Sequence, residues 1–373
     1  MARSRILRTT WWVPAAAGAE PAPAGPGGGP GTREEPVPTA PGRLPDPEYD
    51  AGALLEVHTH LPRGTAAARG LPAAREPGSV PEPAAARGLP AAREPDWAWE
   101  PGSAQGPHAL REAGSAGEPG PGVVLVHGTL ATDAVYALFC RRLAARIGAP
   151  VHSYHRRGRG GSAPQGPGYG LATEAADLAR VLRATGARTV FGHSYGGAVA
   201  LAAGLRTPEL IDRLATFDAA LDLDGSLARL WRPELEEATD AGRLDEAWAL
   251  LVKGLGTAGP VSRLPLGSLR VMSLLSAKTR LGGEMRSLLP TAVREMRAVL
   301  DAPVPHESLR RLPPGALLLT GQYSPAYFAR SARLIAACAP GATAETVRGH
   351  LHDGPIRASG LLLRRIARFH EGR

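Results

Sequence analysis

The stretch Val190-Phe-Gly192-His193-Ser194-Tyr195-Gly196-Gly197 decides the fold. An apolar run, Arg188–His193, leads into it, and the Ala-rich run Gly197–Leu205 leads out. The first reads as a buried strand and the second as a helix, so the chain must turn sharply between them. Ser194 stands at the apex, where such a turn thrusts its hydroxyl into a pocket at the strand end. Gly192 and Gly196 fit because the backbones on either side come too close to tolerate a Cβ. The helix N-terminus behind Ser194 favours an anion developing there. Ser194 is therefore the candidate nucleophile.

Working outward, Gly122–His127 is a continuous apolar run, as expected of a parallel strand covered on both faces. Asp133–Ile147 has helical spacing, Pro150–Tyr154 reads as a short strand, and Thr173–Arg183 as a helix. Ile211–Phe217, Gly315–Thr320 and Ala344–Val347 read as further strands, and Gly360–Phe369 as a closing helix. Alternation at this rhythm predicts an α/β fold, a mostly parallel sheet with helices on both faces. The rhythm pauses over residues 221–302, which are helical in pattern, with Leu235–Val252 amphipathic. An all-helical insertion between sheet strands reads as a lid over the strand ends. Trp231, Trp248 and Met272 within it are candidates to shape an apolar pocket.

His127-Gly128-Thr129 ends the strand that begins at Gly122. Acyl transfer passes through an oxyanion that needs preorganised N–H donors. The amide of Tyr195, just after the nucleophile, is one candidate, and the amide of Thr129 is the other.

Taken together, Val124-Leu-Val-His127-Gly, Arg156-Arg-Gly-Arg-Gly-Gly-Ser162, Gly192-His-Ser-Tyr-Gly-Gly197 and Gly349…His352 resemble the lid-bearing α/β-hydrolase family of actinobacterial type. The resemblance runs from about Trp97 to Arg373. It implies a sheet of about eight strands, a lid between strands 6 and 7, and a catalytic triad in chain order Ser…Asp…His. The family's Gly-x-x-His pattern selects His352 as general base, with His350 the alternative. Asp353 is a poor orienter for its neighbour, since adjacent loop side chains diverge. The acid is where this chain departs from its relatives. They carry Asp in a Gly-x-Asp turn after the strand equivalent to Gly315–Thr320, and Tyr323 stands there instead. Asp218, at the end of Ile211–Phe217, is the replacement, an arrangement that resembles that of some haloalkane dehalogenases. Asp222, Asp224 or no carboxylate at all remain alternatives.

Other features carry less. Residues 1–96 are rich in Ala, Pro and Gly, contain the duplicated AAARGLPAAREP at Ala66–Pro77 and Ala84–Pro95, and are predicted to be a disordered leader. Residues 97–373 form the predicted hydrolase domain, opening with a short strand at His108–Ala113. Leu55–Leu61 imitates the strand-borne His-x-His of metal-dependent amidohydrolases through His58 and His60, but no second His cluster with a matching barrel follows, so no metal is expected. The Arg156–Ser162 loop lacks the Lys-Ser/Thr of a phosphate loop and reads as a structural turn beside the oxyanion site. His193 reads as a packing residue. The formal charge of +8 comes from Arg scattered among acids, not from a stripe with aromatics, so no nucleic-acid partner is expected. The basic start is followed by a short apolar stretch broken by Pro14, unlike a signal peptide, and no run suffices for a membrane span. Two cysteines, Cys140 and Cys338, suit a reducing compartment, and a cytoplasmic location is expected.

These features predict a cofactor-free serine hydrolase for an ester, thioester or lactone of a small apolar acyl compound. Tyr323 motivates a different expectation, a catalytically weakened fold acting as a ligand-binding or accessory protein. Carbon–carbon bond hydrolysis and acyl transfer are compatible with a serine nucleophile. The sequence does not fix an oligomeric state.

Overall fold

A computed structural model describes residues 8–16, 49–62, 121–227 and 233–373. Its centre is an eight-stranded sheet of order β1-β2-β4-β3-β5-β6-β7-β8. The strands are β1 (Arg8–Ala16), β2 (Tyr49–His60), β3 (Val123–Val126), β4 (Val151–Tyr154), β5 (Thr189–His193), β6 (Arg213–Phe217), β7 (Leu317–Gly321) and β8 (Thr343–Val347). From β4 to β8 every neighbouring pair is parallel. Strands β3, β4, β5 and β7 are buried along their whole length; β3 is an unbroken apolar run for that reason, whereas the others also bury polar side chains such as His152, Ser153 and His193.

Helices cover both faces. One apolar layer joins α2 (Leu171–Thr185), α3 (Tyr195–Arg206) and α9 (Ala326–Cys338) to the sheet through Leu178, Val199 and Ile335. The opposite layer joins α1 (Ala137–Ile147) and α10 (Gly360–His370) to it through Phe139, Leu143 and Ile366. Among the described residues, five α-helices lie between β6 and β7: α4 (Pro233–Asp240), α5 (Leu244–Leu255), α6 (Leu266–Ser276), α7 (Arg280–Ser287) and α8 (Leu289–Leu300). They keep a separate small core built on Leu235, Leu250, Leu251 and Leu289. The amphipathic stretch Leu235–Val252 is two helices rather than one. Gly242, at φ 69°, breaks it in the left-handed region that favours glycine.

The N-terminal segment requires a correction. Residues 8–16 and 49–60 were expected to fall in a disordered leader, yet they pair as an antiparallel β1–β2 hairpin-like unit. β2 then adds antiparallel to β4, with Val57 opposite Tyr154. The physical reason lies in the sheet: without β2, β4 would present an unpaired edge. Leu55 and Val57 enter the main core, while Glu56 and His58 turn to the other face. The duplicated 66–77 and 84–95 segments, the predicted strand His108–Ala113, Trp97 and Trp231 lie outside the described residues. Among the described residues no helix is long and apolar enough to cross a membrane. Cys140 is buried and Cys338 half-buried, and both are free thiols.

Candidate active site

Ser194 sits between β5 and α3 with φ 56° and ψ −123°, a conformation that ordinary residues avoid. Such strain costs on the order of 1–3 kcal/mol and persists only where the surroundings impose it. Here they do. A Cβ on Gly192 would come 2.4 Å from the Gly196 carbonyl oxygen, and one on Gly196 would come 2.1 Å from that of Val126. The Ser194 amide donates to the Phe217 carbonyl at 3.0 Å, and its own carbonyl accepts from Ala220 at 3.0 Å, which fixes the turn against β6. Ser194 is only 7% exposed.

The structure brings Ser194, His352 and Asp218 into one hydrogen-bonded row. His352 Nε2 lies 3.1 Å from Ser194 Oγ, and His352 Nδ1 lies 3.0 Å from Asp218 Oδ2. With the proton on Nδ1, the imidazole donates to the carboxylate and accepts from the serine hydroxyl. The ring is clamped in plane by Phe328, stacked at 5.0 Å and 9°. The alternatives considered from sequence are engaged elsewhere. His350 bonds the Arg348 carbonyl at 2.8 Å and the Ser359 hydroxyl. Asp353 pairs with Arg357 at 2.6 Å. Asp222 accepts from the Leu227 amide at 2.6 Å, and Asp224 meets His306 at 3.0 Å.

Asp218 is fully buried at the end of β6, with φ 48°. Its amide donates to the Leu319 carbonyl at 2.8 Å. Oδ1 accepts from the Gly321 amide at 3.1 Å, and Oδ2 accepts from the Ser324 hydroxyl at 2.6 Å as well as from His352. The loop after β7 therefore supplies donors to the carboxylate instead of a carboxylate of its own. Tyr323, in that loop, is 61% exposed and takes no part beyond its amide, which donates to the His350 carbonyl at 2.9 Å. Ser324 is a residue that sequence reasoning missed. No signal in the sequence marked it, since this loop serine gains its partner only when the fold sets the ends of β6 and β7 side by side.

The turn at Gly128 lies against the nucleophile, since a Cβ on Gly128 would meet Ser194 Cβ at 3.1 Å. The fully buried Arg156 holds this turn. Its guanidinium donates to the carbonyls of His127 and Gly128, each at 3.1 Å, and pairs with Glu174 at 2.8 Å and Glu295 at 2.7 Å. The Gly128 carbonyl and the Thr129 amide share one trans peptide, so a carbonyl aimed at Arg156 turns the Thr129 N–H the opposite way. Tyr195 opens α3, and its amide has no acceptor within the helix. The Arg156–Ser162 loop is thus a buried structural device beside this turn. Burying Arg156 alone would be prohibitive, and the two carboxylates and two carbonyls offset that cost.

His193 does more than pack. Burial, reinforced by the nearby His352, holds its pKa well below the ordinary value, so it is neutral. Its Nε2 donates to the His352 carbonyl at 2.8 Å, which leaves Nδ1 to accept from the Tyr136 hydroxyl. That hydroxyl oxygen in turn accepts from the Gly128 amide at 3.2 Å. One chain of bonds thereby ties the turn before Thr129 to the backbone of His352. The helices between β6 and β7 also reach the site's margin. The Leu255 carbonyl accepts from Tyr327 at 3.0 Å, and a Cβ on Gly259 would lie 3.3 Å from Leu351.

Comparison with known proteins agrees with this architecture. Residues 121–254 match the family model described as alpha/beta hydrolase fold. An alpha/beta hydrolase from Sphaerobacter thermophilus DSM 20745 is similar at 28% identity and a TM-score of 0.54, covering 68% of this chain and 93% of its own. MenH from S. aureus is similar at 19% identity and a TM-score of 0.53, covering 69% of this chain and 96% of its own. An acetylester hydrolase from Corynebacterium glutamicum is similar at 14% identity and a TM-score of 0.51, covering 67% and 84%. No curated protein matches the sequence. The match to the family model spans β3 through α5 and includes the strained turn at Ser194, and the likeness to solved structures extends over about two thirds of the chain. The chain carries the alpha/beta hydrolase fold.

Proposed function

We propose that this protein is a serine hydrolase that cleaves an ester, thioester or lactone of a small apolar acyl compound through an acyl-enzyme on Ser194. The observation that carries this reading is the row Ser194 Oγ, His352, Asp218, with contacts of 3.1 and 3.0 Å. Ser194 Oγ attacks the substrate carbonyl carbon while His352 Nε2 takes its proton. The amides of Thr129 and Tyr195 receive the oxyanion. Asp218 holds the imidazole in the tautomer that accepts from serine and stabilises the imidazolium that forms. The same proton passes from His352 to the leaving oxygen or sulfur as the tetrahedral intermediate collapses. Water then attacks the acyl carbon while giving a proton to His352, and as the bond to Ser194 Oγ breaks His352 returns that proton to Oγ, freeing the acid and restoring both residues.

The helices between β6 and β7 act as a lid over the strand ends in this reading. Their contacts with Tyr327 and Leu351 support that role, as does the low exposure of Ser194. No step requires a cofactor. The two free thiols suit a cytoplasmic enzyme. The 3.0 Å contact of Asp218 favours an active hydrolase over a catalytically weakened accessory protein, because the weakened reading rested on Tyr323 replacing the acid.

A fluorophosphonate probe tests the proposal. The folded protein is expected to label at Ser194, with labelling abolished in Ser194→Ala, slowed severely in His352→Ala and unaffected in His350→Ala. Absence of labelling in folded wild-type protein, or equal loss in both histidine variants, defeats the reading.

A further inference from the structure

A second cluster of chemistry-bearing side chains lies where β2 joins the core, and the proposed hydrolysis does not use it. Glu56 and His58 come from the face of β2 turned away from the main core. His155 is the residue after β4, and Asp133 opens the short 3-10 turn that follows the Thr129 turn. Asp133 and His58 are fully buried, and His155 nearly so.

We propose that Glu56, His58 and His155 bind one divalent transition-metal ion of the zinc class, with Asp133 orienting His58. One ligand atom from each of the three lies within 4.8 Å of the others. His58 Nε2 is 3.1 Å from Glu56 Oε1, and His155 Nε2 is 3.9 Å from Glu56 Oε2. Nitrogen and oxygen donors at about 2.0–2.2 Å from zinc stand roughly 3–4 Å apart, so an ion fits among these atoms with little movement. On the far side of the His58 ring, Nδ1 meets Asp133 Oδ2 at 2.6 Å. A carboxylate on the non-ligating nitrogen is the arrangement that fixes tautomer and orientation in histidine metal sites. Asp133 Oδ2 is itself anchored by the Ser153 hydroxyl at 3.3 Å.

The surroundings close around the same point. Glu56 Oε2 accepts from the Gly161 amide at 2.8 Å. Gly160, at φ 53°, leaves room that a side chain would destroy, since its Cβ would fall 2.5 Å from His155 Cδ2 and 2.8 Å from Glu56 Oε2. Two imidazoles and one carboxylate select borderline ions such as Zn²⁺ over Mg²⁺ and Ca²⁺, which prefer all-oxygen sets. Binding exchanges the 3.0 Å contact of His155 Nε2 with Asp133 Oδ1 for a bond to the ion. Three protein ligands leave a fourth position for water. The role we assign is structural. The ion cross-links β2, which the sequence places about 60 residues before the next described strand, to the β4 end beside Arg156.

The test uses the full chain, stripped with a chelator and dialysed against Zn²⁺, with Mg²⁺ as control. One Zn²⁺ per chain is expected by elemental analysis, together with a rise in Tm that EDTA reverses and Mg²⁺ does not reproduce. Glu56→Gln and His58→Gln should each lose the stoichiometric ion. Asp133→Asn, acting through His58, should weaken binding by roughly 10–100-fold. Glu56 is the most exposed of the four, so Glu56→Gln remains informative if His58→Gln fails to fold. The proposal is overturned if stripped wild-type protein takes up no stoichiometric Zn²⁺, which would leave the four side chains as a hydrogen-bonded clamp. It is equally overturned if Glu56→Gln binds zinc as wild type does, because the ion would then sit elsewhere.

Discussion

The ends of β6 and β7 are neighbours in the sheet and have opposite characters. β6 ends on Asp218, a buried carboxylate at positive φ that faces His352. β7 ends on Gly321-Gln322-Tyr323-Ser324, which offers an amide and a hydroxyl to that carboxylate and leaves its tyrosine in solvent. An imidazole needs one anion on its Nδ1 side, and here the β6 end supplies it. The two ends differ in which one brings the carboxylate and which one brings the donors to it. The exchange between the two ends is therefore complete: one supplies the charge, and the other supplies the bonds that make the charge tolerable.

The largest expected effect breaks the charged end. Asp218→Asn keeps the shape but removes the anion and presents an amide to His352. Under the proposed mechanism it should lower kcat by about 10⁴-fold, the scale of removing the acid from a Ser-His-Asp triad. Tm should change far less, because the Gly321 amide can still donate to the asparagine oxygen and the Ser324 hydroxyl can rotate to accept from the asparagine NH2. A near-normal kcat in steady-state assays would mean that Asp218 is not the group on which His352 depends.

The supporting end should matter less. Ser324→Ala removes the 2.6 Å bond to Oδ2 while leaving the carboxylate and its Gly321 donor in place. A hydrogen bond to a charged group contributes about 1.5–3 kcal/mol, and only part of that changes between ground and transition states. The expected loss in kcat is about tenfold, with KM little altered, and Ser324→Thr should restore most of it. A loss as large as that of Asp218→Asn would show that the two ends act as one unit.

The same contrast explains what could be read from the sequence. Ser194, Gly192 and Gly196 are a local pattern, because strand, turn and helix are consecutive and the clashes that demand glycine arise within a few residues. Asp218 was reached through the family resemblance, once Tyr323 was seen to stand where that resemblance implied the acid and Asp218 to end the strand Ile211–Phe217. Ser324 was not, since a serine in a loop says nothing until the fold sets it 106 positions away against Asp218. Arg156 shows the same limit. Its loop read correctly as structural, but its partner Glu295 lies in α8, far along the chain. The N-terminal strands were hidden for a related reason. Leu55 and Val57 alternate with polar residues as a strand should, but the edge of β4 that they complete comes about 100 residues later, and Ala/Pro/Gly-rich flanks dominate the composition.

The smallest expected effect comes from restoring the absent acid. Tyr323→Asp puts a carboxylate where the family resemblance implied one, yet that position is 61% exposed. A charge in water is screened and is worth at most about 1 kcal/mol to a neighbour. It cannot displace Asp218, which already holds His352 at 3.0 Å with both of its own oxygens anchored. In the wild-type background kcat should therefore change by less than about threefold. In the Asp218→Asn background the added carboxylate should fail to restore activity, because the loop would have to turn inward and give up the bond from the Tyr323 amide to the His350 carbonyl. Recovery of most of the lost rate in that double variant would show that the loop moves readily, and that the two strand ends are interchangeable rather than specialised.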